Sequence, residues 1–431
     1  MYRYLLFCLI SSILFQIAWS QPKTDSLLET ILKAPGKATL QNIIHQARTY
    51  RCQIIYTQIN RDKNNRPSFQ HYYFNYDSNL YFNPASMVKL PLAALALEKL
   101  NKLDKKEVTK HTIIRFDSSY DGQRPLHKDS TSADGLPTIA HFIKRAFLIS
   151  ENDPYNRLYQ FVGQQQINRS LHNKGYASAR ITRQFMGFSE EQNRHTNAVS
   201  FLKKDGTVIY RQPAAYNKDS FDFSQKIKIG KAHYNRDDSL IHEPFDFTRH
   251  NFISLGDMQQ VLQSILFPLS VPAKQRFQLT SIDYRFLCQY LSQYPSETPY
   301  PKYDTSIFYD SYVKFFFRDS THQMPPHVRV FNKVGWSYGF LTDVSYVADF
   351  KNKVEFMLSA TVYVNSDEVL NDNKYDYDSV GYPFLFELGQ TIYQYELQRK
   401  KQYQPNLSSF KIKYEHRKLN DKRPSLKEVD N

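Results

Sequence analysis

Apolar positions recur with a helical period in "SLLETILK" and "TLQNIIHQARTY", which predicts helices within residues 24–50. The period then shortens. "RCQIIYTQIN" and "SFQHYYFNYD" read as strands, joined by the hairpin loop "RDKNNRP". From Ser86 to about Tyr294 the texture is mostly helical. It is interrupted by "AVSFLKKDGTVIYRQPAAY", where Asp205-Gly206 between two alternating runs reads as a hairpin. Three strand-like runs follow, "HVRVFNKVGW", "LTDVSYVADF" and "VEFMLSATVYV", the last two joined by the short turn "KNK". "YPFLFELGQTIYQYELQRK" completes the pattern as an amphipathic helix. Strands lie near both ends and helices fill the middle. The economical fold is α/β, of the α+β type: one antiparallel sheet built from both chain ends and flanked by the terminal helices. A helical subdomain is inserted between its second and third strands.

Composition adds boundaries. At 431 residues with 41% hydrophobic and 15% aromatic content, the chain can bury a sizeable core. Residues 1–20 read as a signal peptide: "MYRY" carries one positive charge, an apolar stretch follows, and "AWS" precedes Gln21. A retained anchor is the alternative, but the stretch is short for a bilayer. The expectation is a secreted or periplasmic protein with its folded domain at 21–400. The formal charge of +14 falls by one on removal of Arg3. No zinc spacing or recognition-helix pattern turns that surplus into a nucleic-acid reading. Much of it sits in residues 401–431, expected to be a flexible basic tail able to touch an anionic envelope surface. Cys52 and Cys288 remain after cleavage, and two separate buried thiols are expected. No metal-ligand spacing occurs, no cofactor is implied, and a monomer is expected.

One charge breaks the pattern. In "FNPASMVKLPLAALALEKL", Lys89 lies in an apolar run, one helical turn after Ser86. Ser-x-x-Lys also occurs at Ser200, Ser311 and Ser408, but Ser200 and Ser311 fall in extended stretches and Ser408 in the tail. Only Ser86 opens a long helix. A lysine buried there must be paired or have a lowered pKa, and a neutral amine one turn from a serine can take the hydroxyl proton. The plainer possibility is an N-cap serine beside a lysine that reaches the surface.

Two further stretches, Ser150-Glu151-Asn152 and Lys333-Val334-Gly335, bear on that choice. With Ser86-Met87-Val88-Lys89 they resemble, in order and spacing, the three elements of class A β-lactamases and penicillin-binding proteins. The resemblance runs from about Thr24 to Lys400, apart from an insertion near 193–250; the helical subdomain would span about 86–300. It implies a small-molecule β-lactam or a peptidoglycan-like peptide as substrate. Ser86 would be the acylated nucleophile and Lys89 its proton partner. Ser150 would relay a proton to the leaving nitrogen, and Asn152 would hold the substrate amide. Lys333 would attract a carboxylate and tune Ser150. Gly335 would let substrate lie against the strand, and the Ser86 and Trp336 N–H groups would form an oxyanion hole.

Three positions depart from that pattern. Glu151 stands for an aspartate, and Val334 for a residue with a hydroxyl, which Ser337 would replace. In "ARITRQFMGFSEEQN", Phe185 falls where the deacylating glutamate is expected, with Glu190 and Glu191 five or six residues late. The reading is therefore an exported serine hydrolase that opens a β-lactam or related acyl-amide, with slow deacylation. The rivals are a D,D-peptidase of the penicillin-binding type and a catalytically silent envelope-binding module.

Overall fold

The computed structural model describes residues 22–103 and 105–429; the expected signal peptide lies outside the described residues. Its centre is a five-stranded antiparallel sheet in the order Val328–Ser337, Phe340–Asp349, Val354–Tyr363, Gln53–Arg61, Pro67–Phe74. The first and last chain segments thus meet side by side, Gln53 opposite Thr361. Alternation along the strands sorts side chains onto two buried faces. Ile54, Tyr56, Phe356 and Leu358 face one cluster, formed with helices Ser26–Leu32, Ala38–His45 and Tyr382–Gln398. Ile55, Met357, Val344 and Tyr346 face the other. There the helices Lys89–Lys102, Ile139–Leu148, Asn152–Val162, Leu255–Leu266 and Ser281–Ser292 complete the core.

The middle of the chain is less helical than its texture predicts. The Asp205-Gly206 hairpin forms, with Gly206 at φ +87°. Its strands Ala198–Leu202 and Val208–Gln212 pair with each other, and the first also pairs with Ile113–Asp117, giving a separate three-stranded sheet. The Ile113–Asp117 strand has only five residues in a polar setting, too short for its period to show. The insertion folds as short strands. One of them, Ala232–Tyr234, pairs with Val369–Leu370.

The flexible tail is a correction. Residues 401–429 run along the body, because their basic side chains find acceptors there and their few apolar ones find pockets. Arg417 donates to the carbonyls of Pro295, Thr298 and Tyr303. Leu426 pairs with Tyr303, and Phe410 joins the core. Cys52 and Cys288 are free thiols in different clusters, and burial raises both, Cys288 to about 12. Among the described residues, no helix is long and apolar enough to cross a membrane.

Candidate active site

Ser86 lies in a tight turn, Ala85–Val88, that runs straight into the helix Lys89–Lys102. Asn83 Oδ1 accepts from Ala85 N (3.1 Å), and Met87 N donates to the Pro84 carbonyl (2.8 Å). These bonds hold Ala85 at φ +42°, where an L-residue costs about 1–2 kcal/mol. Ser150 stands at φ +71°, its carbonyl and hydroxyl held by Lys89 and Lys333. Two non-glycine residues in left-handed backbone at one site show surroundings that over-determine it.

The two turns meet at Lys89, which is fully buried. Its Nζ lies 2.8 Å from Ser86 Oγ, 2.8 Å from Asn152 Oδ1, and in contact with the Ser150 carbonyl. Burial lowers its pKa well below the ordinary lysine value, and Lys333 lowers it further against an opposing pull from Glu151. The contacts suit a neutral amine: two N–H groups meet carbonyl oxygens, which can only accept, and the lone pair faces a hydroxyl, which can donate.

Lys333 reaches Ser150 from the sheet, donating to Ser150 Oγ (2.8 Å) and the Val334 carbonyl (2.7 Å). Burial brings its pKa to about 7, with Asp343 pulling up and Lys314 pushing down. Ser86, Lys89, Ser150, Asn152 and Lys333 are therefore one cluster. Trp336 and Ser337 line the cleft above it, which has a volume of about 810 Å³.

Gly335 also has a packing reason to be glycine. A Cβ there would lie 2.3 Å from the Pro84 carbonyl and 2.9 Å from Met87 Cγ. Its hydrogen is what lets the Ser86 turn pack against the strand. Val334 points to the opposite face, buried among the apolar side chains under the terminal helices. Glu151 is buried, holding Arg145 (2.5 Å) and the Tyr303 hydroxyl (2.6 Å). The extra methylene is absorbed by that network.

Phe185 sits beside the cluster, its ring centre 5.3 Å from Lys89 Nζ and stacked on Tyr155. Asn156 clamps its backbone: Phe185 N donates to Asn156 Oδ1 (2.8 Å), and Asn156 Nδ2 donates back (3.3 Å). Glu190 and Glu191 lie elsewhere, on an exposed five-residue helix. They pair there with Arg249 (2.5 Å) and His195 (3.2 Å) and do not line the cleft. The insertion does not bring either of them back to the site.

Sequence reasoning missed two groups. Lys314 is fully buried behind Lys333, donating to Asn332 Oδ1 (2.6 Å), while Asn332 donates to Asp343 (2.9 Å). Lys314 belongs to another of the Ser-x-x-Lys stretches, yet Ser311 lies in a turn, not an extended run. The Ser311 hydroxyl is buried without a partner. Spacing alone could not tell the two roles apart. The second group lies elsewhere on the cleft lining: Arg183, His250, Tyr338, Tyr375 and Tyr377. Nothing local marks these residues, because separate segments bring them together.

Residues 36–206 match the model of the "Beta-lactamase enzyme family". No match was found among curated proteins. Similar solved structures include a β-lactamase from Burkholderia vietnamiensis, 11% identical, covering 85% of this chain and 98% of that one, TM-score 0.47. Another is a β-lactamase from Xanthomonas campestris pv. campestris, 12% identical, covering 85% and 97%, TM-score 0.46. A third, from Desulfarculus baarsii, is 13% identical, covering 86% and 99%, TM-score 0.44. The family match covers the Ser86 and Ser150 turns, and the sheet brings Lys333 to them. Together they support a serine hydrolase of the β-lactamase and transpeptidase-like kind.

Proposed function

We propose that the chain is an exported class A-like enzyme in which Ser86 opens a β-lactam or related acyl-amide and holds the acyl group. The observation that carries this is the buried Lys89 amine, set between Ser86, Ser150 and Asn152. The Ser86 hydroxyl gives its proton to the neutral amine as its oxygen bonds the carbonyl carbon. The tetrahedral oxyanion is met by the Ser86 and Trp336 N–H groups, each such donor worth about 3 kcal/mol. As the C–N bond breaks, the proton passes from Lys89 through the Ser150 hydroxyl to the leaving nitrogen. Lys333 fixes that hydroxyl and offers positive charge to a substrate carboxylate. Asn152 holds the substrate amide and Ser337 lines its path. Glycine at 335 keeps the Ser86 turn in place.

Water must then cleave the ester. Phe185 occupies the place beside Lys89 where a carboxylate would activate that water, so the acyl-enzyme persists. The same observation supports a second reading, a D,D-peptidase of the penicillin-binding type that acts on cell-wall peptides. The basic side chains left exposed along the tail, such as Lys411, Lys413 and Lys418, could meet an anionic envelope surface.

Intact mass after exposure to a penicillin, followed over time, tests the proposal. One acyl adduct that decays slowly is expected, and Ser86→Ala should give none while remaining folded. Rapid multiple turnover supports the plain β-lactamase. No adduct and no turnover leaves the silent binding module.

A further inference from the structure

The chemistry above uses one wall of the cleft. The lining of the same cleft also carries Arg183, a cation that chemistry leaves unused. The backbone of Arg183 is pinned on three sides. Its N–H donates to Asn251 Oδ1 (3.0 Å), and its carbonyl accepts from Asn251 Nδ2 (3.1 Å) and the Tyr155 hydroxyl (2.9 Å). Its guanidinium Nη1 donates to His250 Nε2 (2.7 Å). That imidazole stays neutral, because burial and Arg183 together outweigh Asp246 and bring its pKa to about 3. A neutral acceptor orients the guanidinium without cancelling its charge.

His250 is itself held in place. Phe245, Phe247 and Tyr338 surround it edge to face at 5.0–5.8 Å, and two of those three rings come from the insertion. The insertion therefore builds the wall that aims Arg183. Among the described residues Arg183 has no carboxylate within ion-pair distance. The one acid on the cleft lining is Asp378, which is almost wholly exposed and points toward Arg318 at 4.0 Å. A partly buried, oriented guanidinium with donors to spare and no counter-charge is a receptor for a planar oxyanion.

We propose that Arg183 binds a carboxylate on the substrate beyond the one offered to Lys333, so that the preferred substrates are dicarboxylates. The inference rests on the cleft being the substrate site proposed above. It extends that reading by naming the substrate class.

The probes are benzylpenicillin and its α-carboxy derivative, which differ by one carboxylate. Binding is measured by calorimetry on the Ser86→Ala protein, where no acyl transfer intervenes. The dianion is expected to bind about tenfold tighter at low salt, with the advantage shrinking as salt rises. Arg183→Gln should bring the two affinities together. Arg183→Lys, which keeps charge but loses the fork, should retain part of the difference. Equal affinities in the Ser86→Ala protein, or a preference that survives Arg183→Gln, would overturn the proposal, as would no binding of either probe. Failure of the unmodified protein to form an adduct speaks against the acylation reading instead and leaves this comparison readable.

Discussion

The Ser86–Ser150–Lys333 side of the cleft and the Arg180–Arg194 loop next to it are built to different standards of chemical completeness. On the first side the Lys89 and Lys333 amines meet Ser86, Asn152 and Ser150 at 2.8 Å. Two strained residues are held in place, and two lysines are stripped of solvent so that their pKa values fall. The loop is equally well ordered by its own hydrogen bonds, yet it delivers a phenyl ring to the cluster. In the function proposed above, the first side would make an acyl-enzyme, and the loop brings no carboxylate to the cluster to break one. Good packing and good chemistry are separate achievements.

That comparison predicts a graded set of effects. The largest is at Lys89. Lys89→Arg keeps a cation but cannot accept a proton near neutral pH. Acylation should fall about 10²–10⁴-fold, the range for losing a general base. Stopped-flow labelling with a fluorescent penicillin reads this directly, and a near-normal rate would make Lys89 structural.

The next contrast lies within the loop. The unmodified protein should release about one product per enzyme in a burst and then turn over slowly. The missing base accounts for a deficit of roughly 10²–10⁴-fold. Glu190→Gln and Glu191→Gln should leave both phases within about a factor of two, as for ordinary surface changes. Phe185→Glu should speed the slow phase. If either glutamine variant abolished turnover, the two regions would not divide the chemistry as described.

The smallest effect is one of pH. Acylation needs Lys89 neutral, so its rate should rise with pH through a midpoint well below the ordinary lysine value. For a carboxylate-bearing substrate it should fall again as Lys333 loses its proton above about 7. For a neutral ester that falling limb should be shallower. Lys333→Arg, charged throughout, should remove the limb while keeping the rise. Identical profiles for both substrates would leave Lys333 acting on Ser150 alone.

The periodicity of apolar residues determined much of this molecule before any tertiary contact. It placed the five central strands, the terminal helices and the Asp205-Gly206 turn, because each is a local pattern repeated over enough residues to be read. The isolated charge at Lys89 and the ordered triplets at Ser150 and Lys333 announced the cluster for the same reason. What stayed hidden depends on partners distant in the chain. Gly335 is a glycine because of Pro84 and Met87, some 250 residues earlier. Lys314 is buried because Asn332 and the Leu291 carbonyl accept from it, whereas the same spacing at Ser200 marks only a strand. Arg183 faces the cleft because His250 accepts from it and the insertion's rings fix His250. The basic tail lies down because carbonyls near Pro295 and Tyr303 are within its reach. A burial pattern can be written into neighbouring residues. The fate of a charge is decided by whichever groups the fold brings to meet it.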